Sequence, residues 1–104
     1  MAVELKTDLD FNQALQDNEK VIVKYFADWC GSCRLFSPKF RRISEDEKYA
    51  DVAFLDVNAE KSPEARKLAG VSNLPYFATF KNGELVAGLP TSKEDAVVEL
   101  VNSL

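Results

Sequence analysis

The chain has two cysteines, Cys30 and Cys33, inside the stretch FADWCGSCRLFSPKF that covers residues 26–40. Two thiols this close can be a metal clip, a structural staple or a reversible redox couple. A structural zinc site asks for four ligands, and in a chain without histidine carboxylates or a second chain would have to complete it. The same lack excludes a Cys-His nucleophile pair of the protease kind. As a staple the pair is poor, because a disulfide across so short a loop removes little entropy from the unfolded chain. The redox reading explains more. Cys30 falls between an apolar run and the start of a helical pattern, where unpaired backbone N–H groups and the helix dipole stabilise a thiolate. A Cys-x-x-Cys pair beside a βαβ pattern is itself a cue for redox chemistry.

Two charges stand where charge is expensive. Lys24 interrupts the apolar run VIVKYF and Asp56 interrupts AFLDVNA. Both runs read as buried strands, and a lone charge in a buried strand destabilises the fold unless it is paired. Adjacent strands would bring the two together.

Hydrophobic periodicity gives the elements that must position these residues. AVELK reads as a short strand, and TDLDFNQALQD as a helix capped by Thr7 or Asp8, with Leu9, Phe11, Ala14 and Leu15 on one side. VIVKYFA is a continuous apolar strand of the kind buried on both faces. From about Ser32 to Tyr49, Leu35, Phe36, Phe40 and Ile43 recur at helical spacing. Pro38 within that segment removes a backbone hydrogen bond and predicts a kink. VAFLDVNA is a second buried strand, and SPEARKLAG a short helix with Ser62 at the cap, Pro63 in the first turn and Gly70 at the stop. After the loop VSNLP come YFATF, the hairpin signal Asn82-Gly83, and ELVAGL. The final segment, SKEDAVVELVNSL, predicts a helix capped by Ser92 with Asp95 three residues on, and with Ala96, Val97, Leu100, Val101 and Leu104 as its apolar side. The order βαβαβα followed by ββα predicts an α/β fold with a mixed sheet, parallel where helices cross over and antiparallel at the hairpin, and helices on both faces.

At 104 residues the chain suffices for a single domain, residues 1–104, and not for two. Hydrophobic residues at 46% and charged ones at 29% exclude a disordered or membrane chain. A net charge of -4, from 13 basic and 17 acidic residues, gives no reason to expect nucleic acid, which needs a concentrated basic surface. Lys39, Arg41 and Arg42 read as a solvated helix face. The segment MAVELKTDLDFNQAL lacks the apolar core of a signal peptide, and no later run approaches the roughly 18 residues of a membrane span. The expectation is a cytoplasmic protein with no membrane partner, no metal and no other cofactor, and with nothing that asks for more than a monomer.

Trp29-Cys30-Gly31-Ser32-Cys33 resembles the Trp-Cys-Gly-Pro-Cys motif of the thioredoxin family. The family's helix proline recurs as Pro38, VSNLP resembles the segment that ends in its cis-proline, here Pro75, and KNGELVAG resembles its final hairpin. The resemblance covers essentially the whole chain. It implies the thioredoxin fold, a central mixed five-stranded β-sheet flanked by four α-helices, and a Cys30–Cys33 redox disulfide. It also implies a dithiol–disulfide exchange protein in which exposed Cys30 attacks a substrate disulfide and the more buried Cys33 resolves the mixed disulfide. Trp29, Gly31, Ser72, Asn73, Leu74 and Gly88 join Pro75 as motif and docking candidates. The implied partners are protein disulfides and, as electron donor, an NADPH-dependent flavoprotein, thioredoxin reductase.

Three departures from the family stand out. Ser32 replaces the usual proline between the cysteines, bringing an N–H and a hydroxyl that can stabilise a reduced thiolate and raise the potential. Thioredoxins usually carry a buried aspartate six residues before the first cysteine and a lysine on the following parallel strand; here those positions are Lys24 and Asp56, with the charges exchanged. Asp56, or water held by it, is the candidate proton acceptor for Cys33, and Lys24 its candidate charge partner. Tyr76 follows Pro75 where threonine is common; it either packs in the core or, facing the dithiol, reshapes the docking surface. The expected activity is disulfide reduction that contributes to redox homeostasis. Alternatives are a thiol oxidase or disulfide isomerase, favoured by Ser32, and a thioredoxin-fold binding module with an incidental dithiol.

Overall fold

The structure is a computed structural model that describes residues 3–104. In chain order it comprises β1 (Glu4–Lys6), α1 (Phe11–Asp17), β2 (Lys20–Phe26), α2 (Gly31–Ser44), a 3-10 turn (Glu47–Tyr49), β3 (Val52–Asn58), α3 (Pro63–Ala69), β4 (Tyr76–Lys81), β5 (Glu84–Pro90) and α4 (Glu94–Asn102). The strands form one five-stranded sheet in the order β1-β3-β2-β4-β5. β1 and β2 run parallel to β3, β4 is antiparallel to β2, and β5 is antiparallel to β4. The α/β, five-stranded, four-helix architecture expected from the sequence is therefore present.

Successive residues of a strand point to opposite faces, and β2 shows what that does for the site. Val21, Val23 and Tyr25 pack with Phe11, Ala14 and Leu15 of α1 and with Ala65 and Ala69 of α3. Ile22 faces the other way, onto Phe36, Phe40 and Ile43 of α2 and Val97 and Val101 of α4. Lys24 shares the parity of Ile22 and so lies under α2. The rings on that side meet edge to face, Phe36 with Phe77 at 5.1 Å, Phe40 with Phe54 at 5.4 Å and Phe40 with Phe77 at 5.5 Å. Each such pair adds about 0.5–1.5 kcal/mol beyond its buried area, which fixes α2, and with it the cysteines, on the sheet.

Element ends depart from the sequence-based expectation. Helix α1 starts at Phe11 with Asp10 in the cap position. Residues 8–10 form a turn, and Leu9 is 98% exposed rather than on the helix's apolar side. Leu35 is 75% exposed, because the buried stripe of α2 runs through Cys33, Phe36, Phe40 and Ile43 and Leu35 falls one position off it. Helix α2 passes through Pro38 and ends at Ser44, short of Tyr49. Asp46 then caps the 3-10 turn by accepting from the Lys48 N–H.

Ser62 precedes α3, but its buried Oγ makes no hydrogen bond to a described residue. The Asp8 carboxylate caps α3 instead, accepting from the N–H groups of Glu64 at 3.1 Å and Ala65 at 2.9 Å. Gly70 ends α3 at φ 64°, a left-handed geometry that favours glycine. At α4 the cap position belongs to Lys93 rather than Ser92, and Thr91 Oγ1 accepts its N–H.

Candidate active site

Cys30 is the cap residue of α2 and Cys33 lies in its first turn, with a disulfide joining them and 5.3 Å between their Cα atoms. The first turn of a helix leaves backbone N–H groups without partners, and here the Cys33 N–H donates to Cys30 Sγ at 3.2 Å. The cap therefore supplies a donor to the sulfur that leads the exchange. Ser32 Oγ stands 3.7 Å from the same sulfur. Cys30 is 5% and Cys33 2% exposed. The exposed Cys30 implied by the resemblance is not found: Phe26, Ala27 and Leu74 pack around both sulfurs. Cys30 is only the less enclosed of the two.

Beneath them lies a cavity of about 170 Å³ lined by Lys24, Phe26, Ala27, Asp28, Cys30, Cys33, Arg34, Ser37 and Asp56. The volume has room for water beside its polar walls. Lys24 and Asp56 are register partners on β2 and β3, and Lys24 Nζ stands 3.5 Å from Asp56 Oδ1. That buried oxygen accepts no hydrogen bond from a described residue, so the contact is an ion pair without hydrogen-bond geometry. The ammonium donates instead to Ser37 Oγ at 2.6 Å, and Ser37 donates to the Cys33 carbonyl at 3.3 Å. Burial lowers the pKa of Lys24, and the Asp56 charge offsets part of that. Burial raises the pKa of Asp56 above the usual carboxylate range, against the opposing effect of Lys24 and, more weakly, Arg41.

The rim is tied together around the motif. Trp29 is 68% exposed, and its Nε1 donates to Glu60 at 2.8 Å. Asn58 Oδ1 accepts from the N–H groups of Glu60 and Lys61, its amide reaches Asp28, and Lys61 pairs with Asp28 at 3.4 Å. The loop after β3 thus braces the loop before α2. Gly31 and Ser32 are exposed at the start of α2, as are Ser72 and Asn73 in their loop. Leu74 packs half-buried against the disulfide, and the Leu74–Pro75 peptide bond is cis. Tyr76 turns away from the dithiol into the cluster with α1 and α3, against Tyr25. Its phenol lies on Gly88 of β5, where any Cβ would collide with the ring.

The thioredoxin family model matches residues 2–103. The chain belongs to the thioredoxin family. It is 33% identical over 101 residues to Thioredoxin-1 of Saccharomyces cerevisiae, covering 97% of this chain and 96% of the relative. It is also 33% identical over 86 residues to Thioredoxin-1 of Schizosaccharomyces pombe, covering 83% and 82%. Among solved structures, a Plasmodium falciparum thioredoxin superposes with a TM-score of 0.88 at 28% identity, over 97% of this chain and 98% of that one. Spinach chloroplast thioredoxin F shares the fold, with a TM-score of 0.90 at 24% identity over 98% and 92%. Thioredoxins are disulfide oxidoreductases, and this chain is a protein disulfide reductase that works by dithiol–disulfide exchange through Cys30 and Cys33.

Sequence reasoning brought Cys30, Cys33, Lys24 and Asp56 into one site but missed Ser37, Asp28, Arg34 and Glu60. For Ser37 a signal existed: it stands four residues after Cys33, on the same helix face. The others act through loop contacts that no periodicity encodes.

Proposed function

We propose that this single thioredoxin domain, residues 1–104, works in the cytoplasm as a monomer that carries electrons from an NADPH-dependent flavoprotein, thioredoxin reductase, to protein disulfides. The observation that carries the chemical reading is the cavity that Asp56 and Lys24 share with both sulfurs. Cys30, as thiolate, attacks one sulfur of the substrate disulfide, the substrate's S–S bond breaks, and its first thiolate leaves. Cys33 then gives its proton to Asp56, directly or through water, and attacks Cys30 Sγ; the mixed disulfide breaks, and the second substrate thiolate leaves and takes a proton from solvent. Two electrons pass to the substrate and the protein ends as the Cys30–Cys33 disulfide. Exposed Trp29, Gly31, Ser72 and Asn73, with Leu74 and Pro75, form the docking rim.

The test monitors reduction of a disulfide-bonded protein with dithiothreitol as electron source. Cys30→Ser loses turnover, Cys33→Ser accumulates the mixed disulfide, and Asp56→Asn forms that species at the wild-type rate but resolves it more slowly. Retained turnover in Cys30→Ser would return the chain to the binding-module reading. A resolution rate that Asp56→Asn leaves unchanged across pH removes the proton-acceptor role.

A further inference from the structure

We propose that Ser37 is a positioning residue that holds the Lys24 ammonium off Asp56 and thereby keeps the carboxylate basic enough to take the Cys33 proton. The inference rests on the role proposed for Asp56 and adds to it the group that tunes it.

The geometry sets two acceptors in competition for one cation. Ser37 Oγ is 2.6 Å from Lys24 Nζ, whereas Asp56 Oδ1 is 3.5 Å away. The shorter contact is a charge-assisted hydrogen bond. The one hydroxyl proton of Ser37 is committed to the Cys33 carbonyl, so its oxygen meets the ammonium only as an acceptor. The rings of Phe26 and Phe40, at 5.9 Å and 5.7 Å, receive the cation's remaining side. The ammonium is thus anchored to the first turn of α2 rather than closed onto the carboxylate.

Coulomb attraction falls with the inverse of distance, so stretching a contact pair of about 2.8 Å to the observed gap removes roughly a fifth of the attraction. Among the other charges that face Asp56, Arg41 of α2 acts on it more weakly than Lys24. Arg34 of α2 and Asp28 of the loop after β2 line the same cavity. Leu5, its register partner on β1, brings no charge. Lys24 is therefore the cation whose position matters most. Without the Ser37 hydroxyl, Asp56 is the charged acceptor within its reach among the described residues, the ion pair closes, and the carboxylate binds a proton less readily. Ser37 is exposed at the cavity mouth, so alanine there removes the hydroxyl without opening the core.

The experiment mixes the reduced protein with dithiobis(nitrobenzoate) in a stopped-flow instrument across a pH series. The first thionitrobenzoate released reports attack by Cys30, and the second reports resolution by Cys33. In Ser37→Ala the midpoint of the second phase falls by about half a pH unit, the first phase keeps its profile, and Ser37→Thr restores the wild-type midpoint. A Ser37→Ala profile that superposes on wild type, or a Ser37→Thr profile that matches Ser37→Ala, overturns the inference. Asp56→Asn separates the two levels: if it alters the second phase while Ser37→Ala does not, only the role of Ser37 falls, and if it leaves that phase unmoved, both fall.

Discussion

Burial acts against both charges of the Lys24–Asp56 pair, lowering the pKa of Lys24 and raising that of Asp56, and their attraction offsets only part of it. The linkage has a definite sign. A carboxyl whose pKa is raised on folding contributes stability that is present below its unfolded value and lost as pH rises through the folded one. An ammonium whose pKa is lowered contributes stability that is present above its unfolded value and lost as pH falls through the folded one. Both contributions are therefore missing where the two groups are charged together. Replacing such a pair with apolar groups of similar size is often neutral or stabilising, so Lys24→Met/Asp56→Leu is expected to match or exceed wild type by about 1 kcal/mol at neutral pH. The margin should shrink as pH falls from the raised folded value of Asp56 towards the ordinary carboxylate value of about 3.9 and level off below it, while resolution of the mixed disulfide slows. Urea denaturation at several pH values checks the stability; a variant weaker than wild type at neutral pH would mean that the pair serves the fold.

At the scale of elements, the cap that matters for α3 comes from another part of the chain. Asp8 takes two N–H groups of its first turn, and Tyr25 donates to the Ala65 carbonyl in the same turn at 2.8 Å. Asp8→Ala is expected to lower stability by about 1 kcal/mol, with Asn restoring only part of the loss because its amide offers one acceptor oxygen where the carboxylate uses both; a change in urea midpoint too small to detect would contradict the capping role. In the sequence Asp8 reads as a cap of α1, because capping patterns are local and this cap spans a tertiary contact. Ser62 and Ser92 read as caps for the same reason, each standing just before a helical pattern. The elements themselves are legible: β2 and β3 from their apolar runs, the hairpin from Asn82-Gly83, whose φ angles of 53° and 81° are both positive. Leu35 is misplaced by one helical position and Leu9 by a late helix start.

For the molecule as a whole, the strand order is only partly legible. Alternating βα units imply parallel neighbours and hence the meeting of Lys24 with Asp56, but the cavity joining them to the sulfurs depends on α2 lying over β2, which is a matter of packing. The burial of Cys30 is illegible for the same reason, since the covering group, Leu74, comes from another element, whereas the packing of Tyr76 into the core is the more ordinary of the two readings its size allows, and the structure has it there against Tyr25. The central claim is that this assembly makes Cys30 and Cys33 a reversible, electron-donating couple. Its most direct test is the equilibrium potential, by titration against defined dithiothreitol and glutathione ratios. With Ser32 Oγ near Cys30 Sγ and the Lys24 ammonium near the dithiol, the value is expected above the roughly -270 mV of thioredoxin and below the roughly -180 mV of disulfide isomerase. A value at or below the first figure would contradict the stabilised thiolate, and one above the second would make the chain an oxidant rather than a reductase.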